Sequence, residues 1–99
     1  MASVPLKVTL LTLHDCHLCD QARGVIGRLG RERPVVVEET AWDSAEGQLL
    51  VQRDGIPFAP AVYIDGSFFA YGRISEGALR RRLGKRDGAR RWLPWHRLP

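Results

Sequence analysis

The sequence predicts a small α/β protein with the element order β-α-β-α-β-β-α, in which a mixed four-stranded sheet is combined with three helices. Three observations predict this class: a short Val, Leu and Thr run followed at once by helical apolar spacing, a run of three valines, and an Asp-Gly pair between two strand-like runs. The 99 residues, 44% of them hydrophobic, suffice for one globular domain and are too few for two.

The first half of the chain predicts a strand, a helix and a second strand. The run from Leu6 to Leu13 is too short for a helix and is predicted as a buried strand. The run Pro34 to Glu39 contains three consecutive valines, which indicates a strand parallel to the first and covered on both faces. Between them apolar residues recur at helical spacing, with Gly30 as a stop. These apolar residues are Leu18, Ala22, Val25, Ile26 and Leu29.

A second helix and a stiff connection are predicted next. Asp43 and Glu46 have the spacing of a capping box, and this predicts a helix that ends before Gly55. The segment after that glycine contains Pro57 and Pro60. Because proline fixes its own backbone and restricts the preceding residue, the segment is predicted to be rigid and extended.

The last predicted elements are a hairpin and a third helix. Two strand-like runs, Ala61 to Ile64 and Ser67 to Ala70, are separated by Asp65-Gly66, which is a strong hairpin signal. Ser75 then has the character of a helix cap, and Gly84 is predicted to close the helix. We therefore expect a domain over residues 1–84 and a basic, Trp-containing tail over residues 85–99.

Charge is distributed unevenly along the chain. Residues 1–72 carry nine acidic and six basic side chains, whereas residues 73–99 carry nine basic and two acidic ones. A basic end of this kind suits an anionic partner, although a solvated end is the simpler expectation, and we expect no nucleic acid partner. No apolar run approaches the roughly 20 residues that span a bilayer, and no signal-peptide pattern occurs. These observations predict a cytoplasmic protein without a membrane partner.

The only two cysteines, Cys16 and Cys19, stand where the first strand gives way to the first helix. Their spacing allows a small-loop disulfide. A helix start favours a thiolate at Cys16 and can lower a thiol pKa from about 8.5 into the range of about 3.5 to 7.5. His17, when protonated, would add to this effect, while Asp15 and Asp20 would oppose it, so the net sign cannot be read. Cys19 is expected to be more buried, which predicts an attacking Cys16 and a resolving Cys19.

The segment Cys16 to Asp20 reads Cys-His-Leu-Cys-Asp, follows a first strand, and is combined with a proline directly before the third predicted strand. Over residues 6–84 the chain resembles the thioredoxin superfamily, and in particular small glutaredoxin-like proteins with this motif. The resemblance implies a thioredoxin-like fold and thiol-disulfide oxidoreductase activity. It also implies that the Cys16–Cys19 disulfide replaces any cofactor, that an external reductant is needed, and that the partner is a disulfide-containing protein or a small thiol.

Further site residues follow from the same resemblance. The family has a cis-proline that faces the cysteines, which corresponds to Pro60, and the backbone of the residue before it, Ala59, pairs with the substrate. The two segments that hold glutathione in the family differ here, so glutathione is not implied as the reductant. Within them, Gly72 is predicted to let the backbone approach a thiol ligand and Arg73 to meet its carboxylate. His17 is predicted as a further substrate contact.

Two other functions remain open from the residues alone. Cys16 and Cys19 are also suitable ligands for a metal ion or an iron–sulfur cluster, together with cysteines of a second chain. A zinc site built from both cysteines with His14 and His17 is too crowded, because four ligands would lie within six residues. Alternatively, the fold presents its basic tail to an anionic partner as a non-enzymatic adaptor. We expect a monomer that contains no metal.

Overall fold

A computed structural model describes residues 5–91, with side chains to residue 88, and confirms the predicted α/β class and element order. The sheet has the strand order β2-β1-β3-β4, with β1 parallel to β2 and antiparallel to β3, and β3 antiparallel to β4. No helix of this part of the chain is long and apolar enough to span a membrane. The elements are β1 (Leu6–Thr12), α1 (His17–Gly30), β2 (Val35–Ala41), α2 (Ala45–Asp54), β3 (Ala61–Ile64), β4 (Ser67–Tyr71) and α3 (Glu76–Arg91).

Helices α1 and α3 pack on one face of the sheet, and α2 packs on the other. Side chains alternate along β1 and β3, so Val8 and Val62 point to the first face while Leu11 and Tyr63 point to the second. The predicted apolar stripe of α1 lies in the larger core, except that Leu18 is only half-buried and Cys19, which was not counted in the stripe, is buried. Cys19 is thereby held in the core of the domain.

The predicted burial of the second strand on both faces is wrong. β2 is an edge strand of the sheet and pairs with β1 along one side. Val36 and Val37 are 55% and 48% exposed. A run of valines indicates a strand, but it does not indicate whether neighbouring elements cover that strand, and here most side chains of β2 are exposed.

The predicted capping box of the second helix is also wrong. Ser44, rather than Asp43, is the N-cap of α2, and its hydroxyl oxygen accepts a hydrogen bond from the Gly47 N–H at 3.0 Å. The first turn of α2 lies directly against the end of β2. A Cβ atom at Gly47 would overlap the carbonyl oxygen of Ala41 and lie 2.8 Å from that of Trp42. Glycine at position 47 is therefore required by close backbone packing.

The hairpin between β3 and β4 turns at Asp65 and Gly66, as predicted, with φ of 49° and 85°. Positive φ at both positions is typical of the two-residue turn that matches the twist of the strands. Next to this turn, the Asp65 carboxylate accepts a hydrogen bond from the Arg86 guanidinium of α3. The turn is therefore attached to the last helix.

The last helix is longer than predicted. α3 does not close at Gly84 but continues to Arg91, so the first residues of the predicted tail are helical. An ion pair between Arg33 and Asp87 at 3.1 Å joins this extension to the loop before β2. The remaining residues 92–99, with both tail tryptophans, lie outside the described residues. The division at residue 84 and the role of the tail stay predictions.

Tyr63 is a buried tyrosine with a carboxylate partner. Its side chain is 2% exposed, and its hydroxyl donates a hydrogen bond to the Asp54 carboxylate at 2.7 Å. Burial, together with that hydrogen bond, raises the pKa of Tyr63 to about 12. The pKa of an unfolded tyrosine is about 10, so the unfolded chain loses this proton first and folding stability is lost as the pH rises from about 10 to 12.

We expect the free energy of unfolding of the protein to fall by about 1 to 2 kcal/mol across this pH window through Tyr63 alone. Urea denaturation gives the free energy of unfolding of the wild type and of Tyr63→Phe at pH 9 and at pH 11.5. The contribution of Tyr63 is the decrease between these pH values in the wild type minus the decrease in the variant. The Phe variant, which has no proton to lose, is expected to show the smaller decrease. Identical decreases in the two proteins would contradict the burial of the Tyr63 hydroxyl.

Candidate active site

The first cysteine forms the N-cap of α1. After β1 ends at Thr12 the chain turns, with Asp15 at a positive φ of 50°, and Cys16 is extended at φ −112° before the helix begins. The sulfur of Cys16 accepts a hydrogen bond from the Cys19 N–H at 3.1 Å. A helix N-terminus exposes backbone N–H groups and positive dipole charge, both of which favour negative charge on the capping atom. The capping atom here is sulfur.

Cys16 and Cys19 form a disulfide, with Cα atoms 5.1 Å apart. The two partners differ in accessibility. Cys19 is completely buried in the domain core, whereas Cys16 is only partly buried. Of the two cysteines, only Cys16 is therefore in part exposed to solvent.

Three exposed polar residues lie beside the cysteines in the sequence. His17, Asp15 and Asp20 are exposed, and Asp20 is paired with Arg23 at 2.7 Å. The same arginine binds Glu39 of β2, and the resulting hydrogen bonds lower the pKa of Glu39 below its usual value. Since Arg23 compensates Asp20, the carboxylate of Asp15 is the nearest one in sequence to Cys16 without a salt bridge in the described part of the chain.

The proline segment lies at the same end of the sheet. β1 ends and β3 begins there, since Leu11 pairs with Ala61. The Ala59–Pro60 peptide bond is cis, and both residues are buried. The Pro60 carbonyl accepts a hydrogen bond from the Gly72 N–H at 2.8 Å, which ties this segment to the end of β4. The predicted pairing of the Ala59 backbone with a substrate stays a prediction.

An exposed aromatic pair beside this segment was not predicted from the sequence. Phe58 and Tyr71 are 52% and 44% exposed, and their rings meet edge to face with centroids 5.2 Å apart. The signal available was a large apolar residue between two prolines, where a turn would usually expose it. The pairing with Tyr71 required the register of β3 and β4, in which Ala61 lies opposite Tyr71.

Gly72 and Arg73, predicted as ligand contacts, lie directly after this pair. Gly72 is buried and has a φ of 73°, and a Cβ atom there would lie 3.0 Å from the Phe58 ring. The ring therefore occupies the space that a side chain at position 72 would need. Arg73 is exposed. The predicted contacts of Gly72, Arg73 and His17 with a substrate stay predictions.

Comparison with known proteins establishes the fold. No protein family and no curated protein matches the sequence. Solved structures do match. A thioredoxin mutant of Halobacterium salinarum NRC-1 is 19% identical with a TM-score of 0.58, covering 81% of this chain and 73% of its own. The chain has the thioredoxin fold.

Two further structures agree with this assignment. Thioredoxin-2 of the malaria parasite is 14% identical with a TM-score of 0.60 and covers 82% of both chains. Glutaredoxin 1 of Francisella tularensis is 17% identical with a TM-score of 0.54, covering 84% of this chain and 98% of its own. The thioredoxin fold of the present chain carries its cysteine pair at the start of α1. Within residues 5–91, no three His, Cys, Asp or Glu side chains are grouped so as to hold a metal ion.

Proposed function

We propose that this protein is a glutaredoxin-like dithiol-disulfide oxidoreductase that reduces disulfides with Cys16 and Cys19. The observation that carries the proposal is the disulfide at the start of α1, formed by a partly exposed Cys16 and a buried Cys19, in a thioredoxin fold. Two thiols that can form a disulfide with each other can transfer two electrons to a substrate disulfide. The substrate is a disulfide-containing protein or a small thiol in its disulfide form.

The reaction runs in two exchanges. The Cys16 thiolate attacks one sulfur of the substrate disulfide, so a bond forms between Cys16 and the substrate while the other substrate sulfur leaves as a thiolate and takes up a proton. Cys19 then loses its proton and attacks the Cys16 sulfur, which releases the second substrate thiol. The substrate gains two electrons and two protons, and the protein ends as the Cys16–Cys19 disulfide. An external dithiol, or two small thiols, restores the reduced pair.

The local geometry supports Cys16 as the attacking group. Cys16 is the more exposed of the two cysteines, and the Cys19 N–H donates a hydrogen bond to its sulfur at 3.1 Å. The same N–H and the start of α1 would stabilise a thiolate there after reduction, while Asp15 opposes it. Cys19 has no access from solvent and is suited to the internal second step.

We further propose that the protein acts as a monomer in the cytoplasm, where small-molecule and protein dithiols are available as reductants. In the mixed disulfide, the substrate backbone would lie along Ala59 and Pro60, with His17 and Arg73 at either side. This placement rests on the shared end of the sheet at which β1 stops and β3 starts.

A trapping experiment tests the proposal. Cys19→Ser is expected to accumulate a covalent mixed disulfide with a disulfide-containing protein, because the resolving thiol is absent and the first exchange cannot proceed further. Reduced Cys19→Ser is incubated with an oxidised model protein, quenched with acid, and analysed by non-reducing electrophoresis and mass spectrometry. We expect most of the variant to be trapped.

Cys16→Ser is the matched control, and it is expected to trap little, because the remaining thiol is buried. Equal trapping by both variants would overturn the assignment of the attacking and resolving roles. Absence of trapping by either variant, with the folds intact by circular dichroism, would overturn the proposed function itself.

A further inference from the structure

A groove lies between α1 and the edge strand β2, on the face of the sheet that carries α1, and its volume is about 200 Å³. Two core residues, Leu10 and Ile26, form part of its lining together with Val35 and Val37. Val37 is 48% exposed, so the groove connects the edge of the sheet with the core. An apolar cavity of roughly 150 Å³ holds a benzene molecule, and this groove therefore has room for an aromatic ring.

The charged side chains around the groove are paired. Arg23 and Glu39 also line it, and they are hydrogen-bonded to each other at 3.0 Å. Three charged residues at the nearby end of α1 form salt bridges with α3, in the pairs Arg28–Glu76, Glu32–Arg80 and Arg33–Asp87. Arg31 is exposed and is the one charged residue of the segment 28–33 without a salt bridge to a described residue. The groove therefore offers apolar contacts and suits an apolar group more than a charged one.

The length of α3 changes the character of the chain that follows it. Four of the five basic residues within 85–99 belong to α3, which continues to Arg91. The eight residues after the helix, 92–99, contain two Trp, two Leu and two Pro, and their basic side chains are one Arg and one His. Apolar side chains gain free energy when they leave water. This C-terminal segment is therefore suited to burial against the protein.

The C-terminal segment begins beside the groove. Asp87, which lies one helical turn before the end of α3, is paired with Arg33 at 3.1 Å. Arg33 belongs to the loop between Gly30 and Val35, and both of these residues line the groove. Eight residues of extended chain span up to about 28 Å, more than twice the roughly 10 Å width of a helix. The segment after Arg91 is thus long enough to pass around the end of α1 into the groove.

A second copy of the chain is a poorer occupant of this edge. An antiparallel pairing of two β2 strands about their middle residue would place Glu38 opposite its own counterpart and Val37 opposite Glu39. Like charges directly opposite each other destabilise a strand pair. The edge of β2 is therefore better covered by side chains of the C-terminal segment than by the same strand of another molecule.

We propose that residues 92–99 fold back onto their own domain and that Trp95 occupies the groove between α1 and β2. The indole ring lies over Val37, and the neighbouring leucines of the segment cover the edge of the sheet. Trp92 directly follows Arg91 and has no chain with which to turn back, whereas Trp95 lies in the middle of the segment. The last residues thereby complete the edge of the domain, and the basic side chains of α3 are left as the cationic surface of this end.

The methyl signals of two adjacent valines test the proposal by NMR in the full chain. Val37 lines the groove, whereas Val36 points to the opposite face of the sheet and is similarly exposed at 55%. An aromatic ring over a methyl group shifts its signal upfield. Trp95→Ala is expected to remove this shift from the Val37 methyl groups and to leave the Val36 signals in place. Trp92→Ala is the matched control, and it is expected to leave both valines unchanged.

The reverse experiment observes Trp95. Val37→Ser is expected to increase the rate at which the Trp95 indole N–H exchanges with solvent at least threefold, and Val36→Ser is expected to leave it unchanged. Equal effects of the two serine variants, or Val37 methyl signals that Trp95→Ala does not move, would overturn the proposal. Contacts between the Trp95 ring and Val37 in a mixture of labelled and unlabelled chains would also overturn it, because the occupant would then be the segment of a second copy. The reductase function does not depend on any of these outcomes.

Discussion

Replacing Cys16 with serine is expected to abolish disulfide reduction, with a decrease in kcat/KM of more than about a thousandfold. A serine hydroxyl is not ionised at neutral pH and cannot form the mixed disulfide, and the remaining thiol at Cys19 is completely buried. Serine is itself a good N-cap, so α1 and the fold are expected to persist. The rate is measured from the free thiols that appear as a protein disulfide is reduced. Circular dichroism shows whether the fold is intact.

Cys19→Ser provides the comparison for this measurement. It keeps the attacking sulfur, so added small thiols can resolve its mixed disulfide from solvent and restore part of the activity. The same thiols are expected to leave Cys16→Ser inactive. If added thiol restored activity to Cys16→Ser and not to Cys19→Ser, the roles of the two cysteines would have to be exchanged.

Replacing Gly47 with alanine is expected to destabilise the protein by about 3 kcal/mol or more, although alanine ordinarily favours helices. The added methyl group would overlap the Ala41 carbonyl oxygen and crowd that of Trp42. Both neighbours are backbone atoms at the end of β2, so relief requires α2 to move away from the sheet. Urea denaturation at neutral pH measures the effect as a lower midpoint.

The matched control is Gly27→Ala in the last turn of α1, where an added Cβ atom meets no other atom within 4 Å. There the same substitution is expected to stabilise the protein by about 0.5 to 1 kcal/mol, because alanine loses less backbone entropy than glycine in a helix. The free energy of unfolding is thus expected to fall in Gly47→Ala and to rise in Gly27→Ala. A neutral or stabilising effect at Gly47 would mean that α2 lies further from β2 than described.

Local signals predicted most of the fold correctly. The apolar spacing in α1 and the Asp65-Gly66 turn both depend on residues close together in sequence, and both are confirmed. The cysteine pair could be placed at the start of α1 for the same reason, since a strand-like run ends just before it and the helical pattern starts just after. These features needed no knowledge of how distant segments pack.

The wrong predictions concern features that depend on distant segments. The exposure of Val36 and Val37 follows from the position of β2 at the sheet edge, which no run of valines reveals. α3 passes Gly84, where the cost of about 1 kcal/mol for a helical glycine is offset by packing and by contacts such as the Arg33–Asp87 pair. At the N-terminus of α2, Asp43 and Ser44 are both residue types that cap helices well. Which of them is the N-cap depends on where β2 ends, and with β2 ending at Ala41 the N-cap is Ser44.

The candidate site was predictable in part for the same reason. Cys16 and Cys19 are neighbours in sequence, and their burial differs because Cys16 is the N-cap before α1 while Cys19 lies on the buried face of the helix. The Phe58–Tyr71 pair joins a loop to a strand thirteen residues later, and it exists because Gly72 leaves room for a ring. Such contacts require the register of β3 and β4.

The course of α3 has a practical consequence for handling the molecule. The helix starts beside the beginning of α1, where Gln21 is hydrogen-bonded to Ile74, and it reaches the Asp65 turn and Arg33 at the far end of the sheet. An affinity tag, a dye or a bead attached at the C-terminal end of α3 would thus lie at the end of the sheet opposite to the disulfide. Molecules immobilised in this way would present Cys16 and Cys19 to the surrounding solution.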